Sequence, residues 1–248
     1  MSLVKELGLS AVEIAPYNVF RTWEVDDDRV AELRSRIEDS GLACSALQGI
    51  LFDVPNAHLF ESPESRAALA GHLAKVARIA ALLGAKASVF GAPRQRDPGD
   101  IPPEQAQAVA VEFLASVAPL FEDLGTALAF EANARTYACR FVTTTREAID
   151  LVSAVGRAGI ALQIDMGTIF LEHEDPGVLL DAAPLAAHAH VSEPGLQPLG
   201  SEGLDHAPLA AALKASGYSG YLSIEMRTVP DWENALRSAA RLLREEYL

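Results

Sequence analysis

The stretch Ala127-Leu-Ala-Phe-Glu131 is a short apolar run that ends on a residue with a metal-binding side chain, and three later stretches share this pattern. They are Ala161-Leu-Gln-Ile-Asp165, Ala186-Ala-His-Ala-His190 and Tyr221-Leu-Ser-Ile-Glu225. Each is typical of a buried strand, and helix-like segments separate them, as in a parallel sheet with crossover helices. Because the carboxyl ends of parallel barrel strands meet on one face, we expect the four terminal residues to lie together. The sequence therefore predicts an α/β barrel.

The residues that end these runs all belong to types that bind divalent metals: Glu131, Asp165, His190 and Glu225. A single carboxylate at a strand end is often only a solvated loop residue. Four such groups in one place are different, because their joint burial without a cation would be costly. Three carboxylates and one imidazole suit Mn²⁺, Mg²⁺, Co²⁺ or Zn²⁺, with coordination positions left for a substrate. The sequence thus predicts a metal-dependent enzyme.

Composition limits the class of protein and its partners. The chain has 248 residues, half of them hydrophobic, and contains no linker-like stretch, so residues 1–248 are interpreted as one domain. The formal charge of −14 argues against a nucleic-acid partner, since phosphate binding requires clustered Lys and Arg. The sequence has neither an apolar run long enough for a membrane span nor a signal-peptide start. The two cysteines have no zinc-site or disulfide spacing, which favours a cytoplasmic location.

The pattern of elements indicates seven strands, whereas a barrel of this kind needs eight. The predicted strands span residues 11–16, 45–51, 86–90, 127–131, 160–165, 187–191 and 221–225. The opening Val4-Lys-Glu-Leu-Gly-Leu resembles the end of a helix whose preceding strand is absent. Either the sequence begins late, which we favour, or residues 1–7 are irregular. We expect an incompletely closed barrel with residues 1–7 helical, a gap lined by Ile14 and Ile224, and association of the unpaired edges as a homodimer.

Five further residues are candidates for contact with a substrate: Arg94, Arg96, His188, Glu193 and His206. The two arginines follow a strand on the expected catalytic face, where they could bind an anionic group or form surface salt bridges. His188 lies two residues before His190 and faces the same way, so a core or supporting role is also open. Glu193 and His206 are equally compatible with ordinary loop positions.

Three stretches resemble the xylose isomerase-like TIM-barrel family of sugar and sugar-phosphate isomerases and epimerases. They are Gly8-Leu-Ser-Ala-Val-Glu-Ile-Ala-Pro16, Leu83-Gly-Ala-Lys-Ala-Ser-Val-Phe-Gly-Ala-Pro-Arg94 and Gly217-Tyr-Ser-Gly-Tyr-Leu-Ser-Ile-Glu-Met226. The resemblance covers nearly the whole chain and implies a metal bound at the four strand ends named above. Thr168 stands where many epimerases of the family have a His, and Tyr137 stands where they often have a second Glu. Both departures weaken the expectation of a ketose C3-epimerase substrate.

The resulting hypothesis is an isomerase or epimerase of a small polyhydroxy carbonyl compound in carbohydrate metabolism. The metal would stabilise an enediolate while Glu131 and Glu225 transfer a proton. Epimerisation and aldose–ketose isomerisation both fit the residues. An inosose-type dehydratase and a catalytically impaired binding barrel are the alternatives. The fold also hosts abasic-site endonucleases, but the charge of this chain suits DNA poorly.

Overall fold

Seven parallel strands form the centre of the computed structural model, which describes residues 1–248. They are β1 (Ala11–Ile14), β2 (Ala43–Leu47), β3 (Ala87–Phe90), β4 (Ala127–Glu131), β5 (Ile160–Asp165), β6 (Ala186–Val191) and β7 (Leu222–Ile224). Each strand pairs with the next in sequence order, while β1 and β7 do not pair with each other. The chain is a nearly closed TIM-type barrel with one open side between β1 and β7, as predicted.

Ten α-helices surround or cap the strands. They are α1 (Ser2–Glu6), α2 (Pro16–Phe20), α3 (Asp27–Asp39), α4 (Pro63–Leu83), α5 (Pro103–Glu122), α6 (Thr145–Val155), α7 (Met166–Leu171), α8 (Val178–Ala182), α9 (Ala207–Ala215) and α10 (Trp232–Leu242). Helix α4 illustrates how local sequence sets the boundaries. Ser62 caps its first turn by accepting a hydrogen bond from the Ser65 N–H, and Gly84 ends it in the left-handed conformation. None of the helices combines the length and apolar character needed to cross a bilayer.

The second strand and two short helices differ from the sequence prediction. Strand β2 begins at Ala43 and ends at Leu47, not at residues 45–51, because the chain turns at Gly49 with φ +60°. Helices α2 and α7 were not predicted, since each has only five or six residues and directly follows a strand. The predicted helix over residues 1–7 is confirmed as α1.

The open side contains a cavity of about 560 Å³, bordered by both edge strands. Val12 and Glu13 of β1 line it, as do Leu222 and Ile224 of β7. Ile14 was expected there but instead packs against the main apolar core. Both edge strands are only half-buried, whereas every residue of β3 and β4 is buried.

Candidate metal centre

The four strand-end residues singled out from the sequence lie together in the structure. Glu131, Asp165, His190 and Glu225 each offer a donor atom, and these atoms are all within 4.8 Å of one another. Asp165 and His190 are register partners on β5 and β6. The His190 Nδ1 atom lies 3.1 Å from Glu225 Oε2 and 3.3 Å from Glu131 Oε1. The barrel thus brings one imidazole and three carboxylates to a single point.

Asp165 is held by the start of helix α7 and by the end of β6. The Thr168 N–H donates to Asp165 Oδ1 at 2.6 Å, so the carboxylate also caps the helix. The Ser192 hydroxyl donates to the other oxygen, Oδ2. The Gly167 N–H donates in turn to Ser192 Oγ at 2.9 Å. Sequence reasoning missed this role of Ser192, although its position two residues after His190 on a strand end was the available signal.

Glu131 is held by an amide and a buried guanidinium. The Asn133 side-chain amide donates to Glu131 Oε2 at 2.9 Å, and Arg96 Nη2 donates to Asn133 Oδ1 at 2.8 Å. Arg96 has no exposed surface and stacks on the Phe130 ring, with Cζ 4.7 Å from the ring centroid. Gly91 leaves room for this arrangement, because a Cβ there would lie only 2.5 Å from Glu131 Oε2. Neither Asn133 nor Gly91 was singled out from the sequence.

The electrostatics of the cluster favour a bound cation. Burial and the nearby Glu131 carboxylate raise the pKa of Asp165 above its ordinary value, despite its hydrogen bonds. Burial opposes protonation of His190, yet Glu13 and Glu225 outweigh it and raise the pKa of His190 well above its ordinary value. The buried Nδ1 atom of His190 makes no hydrogen bond even though it faces carboxylates. An imidazole nitrogen without a partner and three crowded carboxylates match the ligand set of a divalent metal.

A cavity of about 300 Å³ opens onto this cluster and is a candidate substrate site. Glu131, His190 and Glu225 contribute to it from the strand ends. The loops after β2 and β3 contribute further residues that the sequence analysis did not name, among them Gln48, Phe52 and Gln95. Phe52 is 61% exposed and lies against the Tyr17 ring, with the ring centroids 5.3 Å apart. An exposed aromatic residue beside a polar centre is suited to the apolar face of a ring or chain of carbons.

The five candidate substrate residues occupy different environments. Arg94 is exposed on the loop after β3, and its contact with substrate stays a prediction. Arg96 was expected to bind an anionic group or to form surface salt bridges, but it is fully buried against Phe130 and reaches Glu131 only through Asn133. Glu193 is fully buried and accepts hydrogen bonds from the N–H groups of Gly200 and Glu202.

His206 completes the scaffold around Glu193. Its Nε2 atom lies 3.1 Å from Glu193 Oε1, and its Nδ1 atom lies 2.8 Å from the Tyr247 hydroxyl. Both residues are buried and their contacts order a loop, while their contact with a substrate stays a prediction. His188 faces the barrel interior with 0% exposure and lies beside Glu13, with Nε2 at 3.3 Å from Oε2.

The two departures from the family pattern also have structural roles. Thr168 is buried and donates its hydroxyl to the Ala132 carbonyl at 3.2 Å. The Tyr137 hydroxyl accepts a hydrogen bond from the Gly195 N–H at 2.8 Å. Burial, together with Asp165 and Glu225, raises the pKa of Tyr137 above its ordinary value. Tyr137 therefore stays protonated near neutral pH. Because its side chain is a phenol, this position supplies no second carboxylate to the centre.

Comparison with known proteins agrees with this architecture. A D-psicose 3-epimerase from Clostridium cellulolyticum H10, solved with D-tagatose, superposes with a TM-score of 0.84 at 17% identity, covering 99% of this chain and 91% of that one. A 3-keto-D-glucoside 4-epimerase from E. coli gives a TM-score of 0.79 at 19% identity, with 98% and 91% covered. A family 2 AP endonuclease from Brucella melitensis gives 0.77 at 18% identity, with 97% and 91% covered.

At these identities the likeness to solved structures establishes the fold alone. No match was found among curated proteins. The family model described as a xylose isomerase-like TIM barrel matches residues 1–246. The chain therefore belongs to the xylose isomerase-like TIM-barrel family.

Proposed function

We propose that this protein is a divalent-metal-dependent isomerase or epimerase of a small sugar, sugar phosphate or related polyhydroxy carbonyl compound. The observation that carries the proposal is the convergence of Glu131, Asp165, His190 and Glu225 beside a cavity of about 300 Å³. Mn²⁺, Mg²⁺, Co²⁺ and Zn²⁺ are the candidate cations. A cation of this kind would supply Lewis acidity that stabilises negative charge on substrate oxygens.

Glu131 and Glu225 are the proposed proton-transfer groups. Both line the cavity, and both have a carboxylate oxygen within 3.3 Å of His190 Nδ1. A carboxylate in this position can remove the proton from the carbon next to a carbonyl group. Return of a proton to the opposite face of the same carbon gives epimerisation, whereas return to the neighbouring carbon gives aldose–ketose isomerisation. The Asn133 hydrogen bond holds Glu131 in place, while the Glu225 carboxylate accepts no hydrogen bond.

The surroundings of the cavity support a small-molecule carbohydrate partner. Phe52 offers an aromatic surface at the cavity, and the exposed Arg94 provides a cation on the loop after β3. A net charge of −14 opposes a nucleic-acid backbone as the partner. One structural neighbour is described as an AP endonuclease of family 2. The net charge of −14 on this chain favours a sugar over DNA as its substrate.

Solvent-hydrogen exchange tests the proposal. The protein is incubated in D₂O with Mn²⁺ and a panel of ketoses, aldoses, their phosphates and inososes, and deuterium incorporation is followed by NMR. One substrate is expected to gain deuterium next to its carbonyl group only when the metal is added. Glu131→Gln and Glu225→Gln should each slow this exchange by about 10²–10⁴-fold.

An exposed glutamate of α3 provides the control for these two variants. Glu32→Gln changes an exposed residue of α3 and should leave the exchange rate unchanged. Loss of water from an inosose would instead identify the dehydratase alternative. Absence of exchange and turnover across the panel, in a protein that binds metal and sugar, would identify a binding barrel. Full exchange in Glu225→Gln would exclude Glu225 as the base.

A further inference from the structure

Glu13 of β1 is a buried carboxylate that the proposed reaction does not use. Its side chain is 7% exposed and faces the barrel interior from an edge strand. The two oxygens lie 3.1 and 3.0 Å from His190 Nε2. One of them also lies 3.3 Å from His188 Nε2. Glu13 is therefore paired to the opposite nitrogen of the same imidazole that faces the candidate metal centre.

The pairing decides which nitrogen of His190 can bind a metal. When Nε2 carries the proton and donates it to a carboxylate, the lone pair is on Nδ1. That atom lies 3.1 Å from Glu225 Oε2 and makes no hydrogen bond of its own. Carboxylates that receive the second N–H of a metal-bound histidine fix its tautomer and orientation, and they strengthen it as a ligand.

His188 completes the environment of Glu13. The rings of His188 and His190 are perpendicular, with centroids 5.5 Å apart, so both Nε2 atoms approach one carboxylate from different directions. An unpaired carboxylate would be costly to bury, and two imidazole donors offset that cost. Two donors also restrict the rotation of the Glu13 side chain, which keeps its oxygens aligned with His190.

We propose that Glu13 is a positioning residue that holds His190 with its Nδ1 lone pair directed at the metal, while His188 fixes Glu13. This inference rests on the metal site of the proposed function. Glu13 touches neither substrate nor metal in this arrangement. Glu13 acts on the metal only through the His190 ring, which it reaches from β1 across the open side of the barrel.

Binding of Mn²⁺ alone tests the inference without measuring turnover. Titration calorimetry should give one Mn²⁺ per chain for the wild-type protein. Glu13→Gln keeps the size of the side chain but removes its charge, and we expect affinity to fall by about 10–100-fold, the usual cost of losing such a partner. Glu13→Asp retains the charge and should recover part of the loss. Glu122→Gln is the control, because Glu122 lies on α5 and pairs with Arg157, away from the metal centre. Its Mn²⁺ affinity should equal that of the wild type.

A spectroscopic readout separates positioning from a general loss of structure. Proton–nitrogen correlation spectra of ¹⁵N-histidine protein loaded with Zn²⁺ should show His190 protonated at Nε2 with Nδ1 on the metal. The signal is assigned by its absence in His190→Gln. In Glu13→Gln the Nε2 proton should exchange faster with water, while circular dichroism stays at wild-type values. Glu13→Asp supplies the same comparison if Glu13→Gln does not fold.

The possible results distinguish this inference from the proposed function. If His190→Gln loses Mn²⁺ affinity while Glu13→Gln keeps it, the metal site stands and the role of Glu13 is wrong. If His190→Gln binds Mn²⁺ as well as the wild type, the metal site itself is wrong, and the inference falls with it. Glu13, His188 and His190 also offer donor atoms within 4.8 Å of one another. A second equivalent of Mn²⁺ that disappears in Glu13→Gln would make Glu13 a ligand and overturn the positioning role.

Discussion

The two sides of the barrel differ in how firmly they hold the centre. On the closed side, β3 and β4 are buried throughout, and the carboxylates of Glu131 and Asp165 are fixed by hydrogen bonds. On the open side, β1 and β7 are half-buried, and Glu225 follows the last residue of the edge strand β7 without a hydrogen bond to its carboxylate. The comparison indicates that one half of the site is preorganised by packing, while the other half depends on contacts across the open side.

The largest expected difference between the two sides concerns metal affinity. Asp165→Asn preserves a cap for helix α7 but removes a ligand charge from the closed side, and Mn²⁺ binding should fall below detection in calorimetry. Glu225→Gln removes a ligand charge from the less ordered side, where less preorganisation is lost, and should weaken binding measurably but less than Asp165→Asn does. Equal losses for the two variants would show that the open side holds its ligand as firmly as the closed side does.

Packing on the two sides should differ in the free energy of unfolding. Leu162 on β5 has 0% exposure, and Leu162→Ala should cost about 2–5 kcal/mol as a cavity-forming change. Leu222 on β7 borders the cavity of the open side and is only half-buried, so Leu222→Ala should cost about 1 kcal/mol. Urea unfolding of the metal-free protein measures both values. A cost for Leu222→Ala as large as that for Leu162→Ala would mean that β7 is packed like an interior strand.

The sequence predicted which residues converge at the centre better than it predicted the residues that support them. Glu131, Asp165, His190 and Glu225 could be named because an apolar run of strand length places its last residue at the barrel rim. The link between Glu13 and His190 joins residues 177 positions apart, and its detection requires the direction of two side chains across the barrel. The exposure of Arg96 was predicted wrongly for a similar reason. An arginine in a loop is expected to be exposed, and its packing on Phe130 is visible only in the structure.

A smaller effect is expected where a glycine allows close packing on the closed side. In Gly91→Ala the new Cβ would meet Glu131 Oε2 at 2.5 Å and Asn133 Oδ1 at 3.1 Å, so the carboxylate must move. We expect a loss of about 10-fold in Mn²⁺ affinity with little change in stability, since the clash is confined to the site. Gly71→Ala in α4 is the control, because nothing lies within 4 Å of its added Cβ. That variant should bind Mn²⁺ normally and gain about 0.5–1 kcal/mol of stability. Unchanged affinity in Gly91→Ala would show that Glu131 tolerates displacement.

The smallest expected effect concerns whether β1 detaches transiently from β2 in the native protein. Cys44 lies on β2 as the register partner of Val12 on β1 and is 6% exposed. Burial, reinforced by the negative charge of Glu13, raises the pKa of Cys44 to about 12. Only the thiolate reacts with iodoacetamide, so at pH 8 about one Cys44 thiol in 10⁴ is reactive while β1 stays in place.

The pH dependence of alkylation distinguishes the closed protein from a transiently opened one. Labelling of Cys44 in the closed state should rise about tenfold per pH unit from pH 7 to pH 10, because the thiolate fraction rises in that proportion below a pKa of about 12. If β1 detaches first, the thiol reacts with its ordinary pKa, and the rate should level off near pH 9. Mass spectrometry of peptides follows Cys44 separately from Cys139, the other cysteine of the chain. Since the open side has fewer supporting contacts, we expect the Cys44 rate to level off near pH 9. A tenfold rise per pH unit that continues to pH 10 would show that β1 does not detach from β2 in the native protein.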